Sequence, residues 1–478
     1  MRTVLVQGNF DVLHPGHIRL LHFARECGHK LLVAVNSDSA MPFKSRVSEQ
    51  HRLEVVQSLE CVDDAFLTNK SATDIVHQYK PYAVVKGKEF ESRDNPERKA
   101  LNIYGGKLIF GSGEFESNAE QFIRKPNTLT FDYREAREYA KRHEIDIPKV
   151  HSTFAKIKTL NVLVIGEIIV DQYVQGTAIG LSQEDPTIVM TPNKTDIFLG
   201  GAAITAGHIK SIGAKSVHLL SVVGEDKMGE YVKSNIHKYN VNSCLFDDNS
   251  RPTPLKIRYR AGNKTLLRVN QVRQHKVAKD LQNDILNKVS NIINDMDLVV
   301  FSDFNYGVLP QWLVDNITNL CIKNNVKVVA DSQTSSQVGD ISRYKGMHLV
   351  TPTEREVRVA LNNPDDGLVI LAQKLATKSR AESIVITLSE QGIFIHQPTA
   401  DLTSWESDRL PAINKHAVDP AGAGDCFLAA SSLALTTDAS PWLSYYLGSM
   451  ASACQVNSLG NSPLELTMLE QVTIESLA

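Results

Sequence analysis

Twice along the chain a short apolar, β-branched run gives way to a turn rich in glycine and aspartate and then to a helical stretch. Val4-Leu5-Val6 leads into GNFDVLHPGH, and Val162-Leu163-Val164-Ile165 leads into GEIIVDQY. A buried strand running straight into a polar turn and a helix opens an α/β unit, so two such openings call for two α/β folds. After the first, Leu31 to Val35, Ala65 to Leu67, Ala83 to Val85 and Leu108 to Phe110 are spaced by helix-length segments, which predicts a parallel sheet of about five strands. After the second, the runs at Val217 to Val223, Leu298 to Ser302, Lys327 to Ala330, His348 to Val350 and Ile384 to Thr387 repeat the alternation. Between them, REAREYAKRHE reads as an exposed helix and Pro148 as its stop, in a stretch dense in charge and without strand pattern. The expected organisation is an α/β domain over 1–125, a charged connector over 126–158 and a larger α/β domain over 159–478.

Composition narrows the function classes. A chain of 478 residues exceeds what one core supports, and 42% hydrophobic with 22% charged residues suits a packed protein rather than a disordered one. Fifty-one basic against 54 acidic side chains leave a net charge of -3, with no global cationic surface for nucleic acid. Six cysteines lie far apart without CxxC spacing, as buried thiols of a reducing compartment do. The first residues turn polar by Asp11 and no run of about 18 apolar residues occurs, so neither a secretory signal nor a membrane span is expected. The expected location is the cytoplasm.

The segment Gly8 to His17 has the logic of phosphate handling. A helix N-terminus offers unpaired N–H groups and a positive dipole end, Gly16 permits close approach, and His14 and His17 can donate to a polyphosphate. Nucleotidyl transfer needs no protein nucleophile: a substrate phosphate attacks the α-phosphorus in line, and positioning with charge neutralisation supplies the acceleration. An isolated H-x-G-H string serves equally as a helix cap with two solvated histidines. The neighbours decide between these readings. Val35-Asn36-Ser37-Asp38 follows the second strand, Lys44 and Arg46 occupy a polar loop, Glu49 and Arg52 come next, and Val85-Lys86-Gly87 ends the fourth strand.

With these strings the first 125 residues resemble the cytidylyltransferase-like nucleotidyltransferases, which implies a Rossmann-like domain. The resemblance implies that His14 and His17 contact nucleotide phosphates in the transition state and that Asn9, Phe10 and Gly16 border the nucleotide. It implies phosphate binding by Lys44, sugar or phosphate contact by Asp38, loop support by Arg52, and nucleotide contacts by Lys86, Gly87 and Ser117. For Asp38 and Arg52 a cap and a surface ion pair stay open.

The second constellation is Asp419-Pro420-Ala421-Gly422-Ala423-Gly424-Asp425, followed by small and apolar residues that read as a buried helix. Glycines at a helix start let backbone N–H groups converge on the charge of a transferring phosphoryl group, and Asp425 beside them is placed to take a proton from an attacking hydroxyl. Alone, such a turn is more often a helix cap. Gly200-Gly201-Ala202-Ala203 and Thr387-Leu388-Ser389-Glu390-Gln391-Gly392 supply the context, and together the strings resemble the ribokinase-like sugar kinases from about Asn161 to Leu469. That resemblance implies an α/β domain with a small β-lid, Asp425 as catalytic base, and Gly422, Ala423 and Gly424 as anion hole. It also implies Thr387, Ser389 and Gly392 along ATP, Asp171, Gly200 and Gly201 in the sugar pocket, and Glu356 at magnesium.

Further strings narrow the sugar. LSQEDP at Leu181 to Pro186, the basic residues Lys256, Arg258 and Arg268, and SDFNYG with Asp303 resemble the bacterial heptose-7-phosphate kinases. Cations suit a sugar that already bears a phosphate, although the same residues also make a solvated strand face. With the first domain, the chain is similar to the bifunctional heptose-phosphate kinase and heptose-1-phosphate adenylyltransferase family. The implied cofactors are ATP and Mg2+, with CTP as the alternative nucleotide of the first domain. The implied partners are sugar phosphates, nucleoside triphosphates and a second copy of the chain, the last through a lid within 172–200 and 251–272.

Four departures qualify the likeness. The domain order is reversed. Ile204 stands where an asparagine is expected after GGAA, and Thr353 replaces the asparagine of the NxxE box that ends in Glu356; Asp331-Ser332-Gln333 replaces DPKG. Each lost polar partner costs on the order of 1–3 kcal/mol. Two other readings therefore stand beside the main one: a CTP-dependent polyol- or sugar-phosphate cytidylyltransferase joined to a kinase of different sugar specificity, and a kinase-like half that binds a sugar phosphate as a regulatory module.

Overall fold

The computed structural model describes residues 2–11, 13, 15–41, 47–87, 90, 95–111, 131–182, 184–185, 187–261, 264–334, 339–414, 417–458 and 460–478. The chain divides into two units, Met1–Thr128 and Leu129–Ala478.

In the first unit, β1 (Thr3–Gly8), β2 (Lys30–Asn36), β3 (Asp64–Thr68), β4 (Ala83–Gly87) and β5 (Lys107–Gly111) form a sheet in the order β3-β2-β1-β4-β5. Every pairing is parallel, as the strand-helix alternation predicts. The apolar runs of β1 and β2 are buried on both faces, between one cluster around Val4, Val6, Leu21 and Val33 and another around Leu5, Leu32, Ile75 and Leu101. The strand order reverses between β1 and β4, and in open parallel sheets ligands bind beyond the carboxyl ends of the strands at such a switch. Those ends are Gly8 with Asn9, and Lys86 with Gly87.

The second unit, among the described residues, is built on β6 (Asn161–Gly166), β9 (Ser216–Val223), β10 (Asn242–Asp247), β13 (Leu298–Asp303), β14 (Lys327–Ser332), β15 (Leu349–Val350), β16 (Ile384–Thr387), β17 (Ile393–Pro398) and β18 (Trp405–Leu410). They run in the order β10-β9-β6-β13-β14-β15-β16-β17-β18, parallel as far as β16 and antiparallel beyond. A second sheet, β12-β11-β7-β8, joins β7 (Ile168–Leu181), β8 (Ile188–Gly201), β11 (Leu255–Ala261) and β12 (Lys264–Gln271), in the two stretches expected to hold the lid. β6 runs into β7 almost without a break, so the lid sheet springs from the switch point between β6 and β13.

The segment read as a connector is part of the second unit's core. Helices Arg134–Arg142 and Ile147–Ile157 bury Ala136, Tyr139, Ala140, Val150, Phe154 and Ile157 in the same cluster as β6 and the helix Ala423–Thr436. Pro148 does not stop a helix. It sits in the first turn of Ile147–Ile157, where its missing N–H costs nothing, behind an Asp146 cap that accepts from Lys149 N. The Tyr139 hydroxyl donates to Trp442 O at 3.2 Å, and His143 stacks on Trp442 at 4.2 Å while meeting Asp408 at 2.7 Å. Large-to-alanine changes at buried aromatics cost about 3–5 kcal/mol each. Tyr139→Ala with Phe154→Ala in the full chain is therefore expected to lower the second unit's melting temperature by about 10 °C or more, followed by calorimetry. A shift within about 2 °C would return the segment to the role of a linker.

Candidate active sites

The first site begins at the carboxyl end of β1. Phe10 adopts φ +50, a left-handed conformation costly for a non-glycine residue, and its buried ring packs against His17 at 5.2 Å. His17 lies in the first turn of the helix Pro15–Glu26, which also carries Gly16. Asn9 Oδ1 accepts from Asn36 Nδ2 at 2.6 Å, which ties the turn after β1 to the end of β2. Arg52, 1% exposed, clamps this corner: Nη1 donates to Asn9 O at 2.5 Å and Asn36 O at 2.8 Å, Nε to Val47 O, and Nη2 to Asp38 at 2.6 Å. The ion pair between Asp38 and Arg52 is thus internal scaffolding, with only the Asp38 side half exposed.

Lys86 departs from expectation in the same way. Its ammonium is held by the buried Glu97 at 2.5 Å and by Asn95 at 2.8 Å, so its charge already braces the loop after β4. Gly87 ends β4 opposite Gly111. His14, Lys44, Arg46 and Ser117 lie outside the described residues.

The second site gathers residues from distant parts of the chain. Gly422 takes φ +78 and caps the helix Ala423–Thr436, whose first-turn N–H groups, including those of Ala423 and Gly424, have no intrahelical acceptors. Asp425 sits in that first turn, 7% exposed. The Thr205 hydroxyl, one turn into the helix that follows Gly200 and Gly201, lies 3.1 Å from Asp425 Oδ1 as donor. Burial pushes the Asp425 carboxyl up to about 7, with nearby Asp171 adding to the rise and the Thr205 bond and Lys256 opposing it. Ala423 N donates to Pro420 O at 3.3 Å within the turn, and a carboxyl pushed up to about 7 beside the next N–H groups of the helix suits a general base next to an anion hole.

Asp171 on β7 accepts from Arg258 Nη1 at 2.5 Å and from Asn461 Nδ2 at 3.1 Å. Arg258 lies over the Tyr173 ring at 4.9 Å, and Lys256, two residues along β11, lies over Phe304 at 5.0 Å and Tyr306 at 5.6 Å. Arg258 is therefore neutralised by Asp171. Lys256 makes no ion pair within 4.0 Å among the described residues, and its field reaches Asp425. Arg268 is exposed and stands opposite Arg258 in the β11/β12 ladder, which puts both side chains on one face of the lid.

Three expected site residues are engaged inside the fold. Asp303 is 1% exposed; Oδ2 accepts from Arg343 at 2.7 Å and Ser332 Oγ at 3.0 Å, and Oδ1 from Asn305 N at 2.9 Å. Its carboxylate organises the turn after β13 through these three bonds. Glu356 accepts from Thr353 N at 2.7 Å and Thr334 N at 2.6 Å in a capping box with Thr353, so the threonine that replaces asparagine serves as a helix cap. Gly392, at φ +88, closes the turn 388–392, accepting from Leu388 N at 2.8 Å and donating to Ser389 O at 3.1 Å. Thr387 and Ser389 line an open cleft of about 660 Å³ with Thr353, Arg355 and Asn362.

Residues that lie in the motif strings without an assigned role complete this site. Glu167, just past β6, accepts backbone N–H groups from Phe304 at 2.8 Å, Tyr306 at 3.2 Å and Val308 at 3.0 Å, and so shapes the loop on which Lys256 rests. Arg355 lines the cleft without an ion-pair partner among the described residues. Burial, with Glu356 and Asp425 nearby, holds the Asp331 carboxyl well above the usual range. Among the described residues no three His, Cys, Asp or Glu side chains gather as a metal site, so Asp331 and Glu356 could meet a divalent cation only if it brings phosphate ligands of its own.

Residues 159–466 match the pfkB family carbohydrate kinases, and residues 5–110 match the cytidylyltransferase-like family. The bifunctional protein HldE of Helicobacter pylori strain G27 is 32% identical over 317 residues, 66% of this chain and 65% of that protein. The bifunctional protein HldE of Aliarcobacter butzleri is 29% identical over 313 residues, 65% of this chain and 63% of that protein. The chain thus matches less than two thirds of the length of these relatives. Among solved structures, phosphofructokinase-2 from Escherichia coli superposes with a TM-score of 0.56 at 16% identity, covering 66% of this chain and 99% of that one. Ribokinase from Thermotoga maritima gives 0.52 at 18%, with the same coverage, and both likenesses concern the fold alone. With Asp425 at the head of its helix, a separate four-stranded sheet and a family match over residues 159–466, the chain belongs to the pfkB family of carbohydrate kinases, with a cytidylyltransferase-like domain preceding the kinase fold.

Proposed function

We propose that the chain carries two activities of nucleotide-sugar synthesis: ATP-dependent phosphorylation of a heptose 7-phosphate-like sugar at C1, and nucleotidyl transfer from ATP to a sugar 1-phosphate with release of pyrophosphate. The observation that carries the kinase half is the buried Asp425, held by Thr205 beside the N–H groups of its helix and within the field of Asp171 and Lys256. Asp425 takes the proton of the sugar hydroxyl as its oxygen bonds to the γ-phosphorus. The bond from that phosphorus to the β,γ-bridging oxygen breaks, and ADP leaves. The Gly424 N–H bears the charge spread over the transferring group, and the Ala423 N–H joins it only by giving up its 3.3 Å bond to Pro420 O. Lys256 is the cation we assign to the phosphate of the sugar. Mg2+, when bound with ATP, would be held by Asp331 and Glu356 and would neutralise phosphate charge.

For the transferase half, the support is the Arg52 clamp that fixes Asn9 and the corner of β2 beside His17. Lys86 is retained there as a brace rather than a phosphate ligand. Self-association as a homodimer is part of the proposal: Ile179, Ile188 and Leu267 stand exposed on the lid sheet, and a tetrameric form is named for E. coli phosphofructokinase-2. No described helix is long and apolar enough to cross a membrane, in keeping with the cytoplasmic location we propose.

Pyrophosphate release with heptose 1-phosphate, measured with ATP and CTP in parallel, tests the second activity. Release at least tenfold faster with ATP is expected. A preference for CTP would make this half a cytidylyltransferase.

A further inference from the structure

Asn461 lies in the loop after the helix Pro441–Gln455, and it is 5% exposed. Its Nδ2 donates to Asp171 Oδ2 at 3.1 Å, which fixes the orientation of the amide, because a carboxylate can only accept. Oδ1 therefore faces away from Asp171, and it has no hydrogen-bond partner among the described residues. A β-carbon added at Gly422, the cap of the anion-hole helix, would meet Oδ1 at 2.5 Å, and one added at Gly200 would meet Nδ2 at 2.9 Å. The amide is thus wedged between the two glycine turns that frame the pocket, one at the sugar side and one at the phosphoryl side.

A buried acceptor without a donor is uncommon in folded proteins, because the lost hydration is not compensated. The second N–H of the amide is also left for use, since among the described residues only the bond to Asp171 is made. Ile204, next in sequence to the Thr205 that bonds Asp425, is fully buried and offers no polar group at the position where the GGAA string leads one to expect an asparagine.

We propose that Asn461 is a specificity-determining residue of the kinase pocket, supplying from the C-terminal loop the side-chain amide that Ile204 does not supply from its helix. The inference rests on the kinase reading above. One hydroxyl of the sugar donates to Oδ1 and accepts from the remaining N–H, while Asp171, held by the same amide, keeps its place beside it. A pocket built to pair with a hydroxyl discriminates strongly against sugars that lack it, since its own polar groups are then stranded.

Two full-length variants test this, Asn461→Leu, which keeps the size of the side chain, and Asn461→Ala, which opens space. ADP formation is measured with heptose 7-phosphate and ATP varied separately. In both variants the KM for the sugar rises about tenfold or more while the KM for ATP stays within about twofold. A sugar KM within twofold in either variant, or sugar and ATP constants rising together, overturns the assignment. If the unsubstituted chain forms no ADP with any sugar phosphate, the kinase reading fails by itself. The three chains are then compared by calorimetric titration with heptose 7-phosphate: binding about tenfold weaker in both variants upholds the role of Asn461, and equal or absent binding in all three overturns it.

Discussion

Asp425→Asn lowers the kinase kcat by about 10²- to 10⁴-fold, the usual contribution of a positioned general base, while sugar and ATP binding stay near their original values. The substitution keeps the shape of the side chain and its bond from Thr205, so the anion hole and the pocket remain built. The pH profile carries a second signature. Asp425 must be unprotonated to act, and burial places its titration at about 7, so kcat/KM climbs with pH up to that region and then levels. Stability moves the other way. The folded carboxyl binds its proton up to about 7, whereas an unfolded aspartate releases it at about 4, so the chain loses stability as pH rises through this window. The Asp425→Asn variant has no proton to release at this position and carries no such slope. Its thermal melts should exceed those of the parent at pH 8 and approach them at pH 4. A parent enzyme whose kcat/KM is flat from pH 5 to 8 contradicts the role of Asp425.

His17→Ala lowers pyrophosphate release by the first domain about 10²- to 10³-fold, the scale seen when one donor to a developing phosphate charge is removed. Kinase turnover is unchanged, because the residue belongs to the other unit. The Phe10 ring, held in a left-handed turn against His17, keeps the imidazole in place, so Phe10→Ala is expected to reproduce part of the loss. An unaffected rate in His17→Ala would remove the histidine from the mechanism.

What the sequence makes plain here is whatever depends on local pattern. Each apolar run that reads as a strand lies in one, and the glycine turns at Gly200 and Gly422 sit where the backbone must pass close to the side chains of Asp171 and Asn461. Partners chosen by the fold are another matter. Ala136, Tyr139 and Ala140 have the i, i+3, i+4 spacing of a buried stripe, yet charged neighbours outnumber them, and composition reads the helix as solvated. Lys86 carries a motif lysine's address but is paired with Glu97, and nothing local announces that pairing. Asp303 likewise meets Arg343 only once β13 and the segment after β14 are folded side by side. Asn461 and Asp171 are 290 positions apart, so their bond is invisible until the C-terminal loop closes over the lid.

The central claim is that Asp425 drives phosphoryl transfer to a phosphorylated sugar. Phosphorus NMR of the full chain with ATP, Mg2+ and heptose 7-phosphate tests it most directly. The account predicts a new phosphate resonance coupled to the anomeric proton, appearing in step with ADP, and its absence in Asp425→Asn. ATP turned over to inorganic phosphate without a new sugar phosphate, or the same product at the same rate from Asp425→Asn, would contradict it.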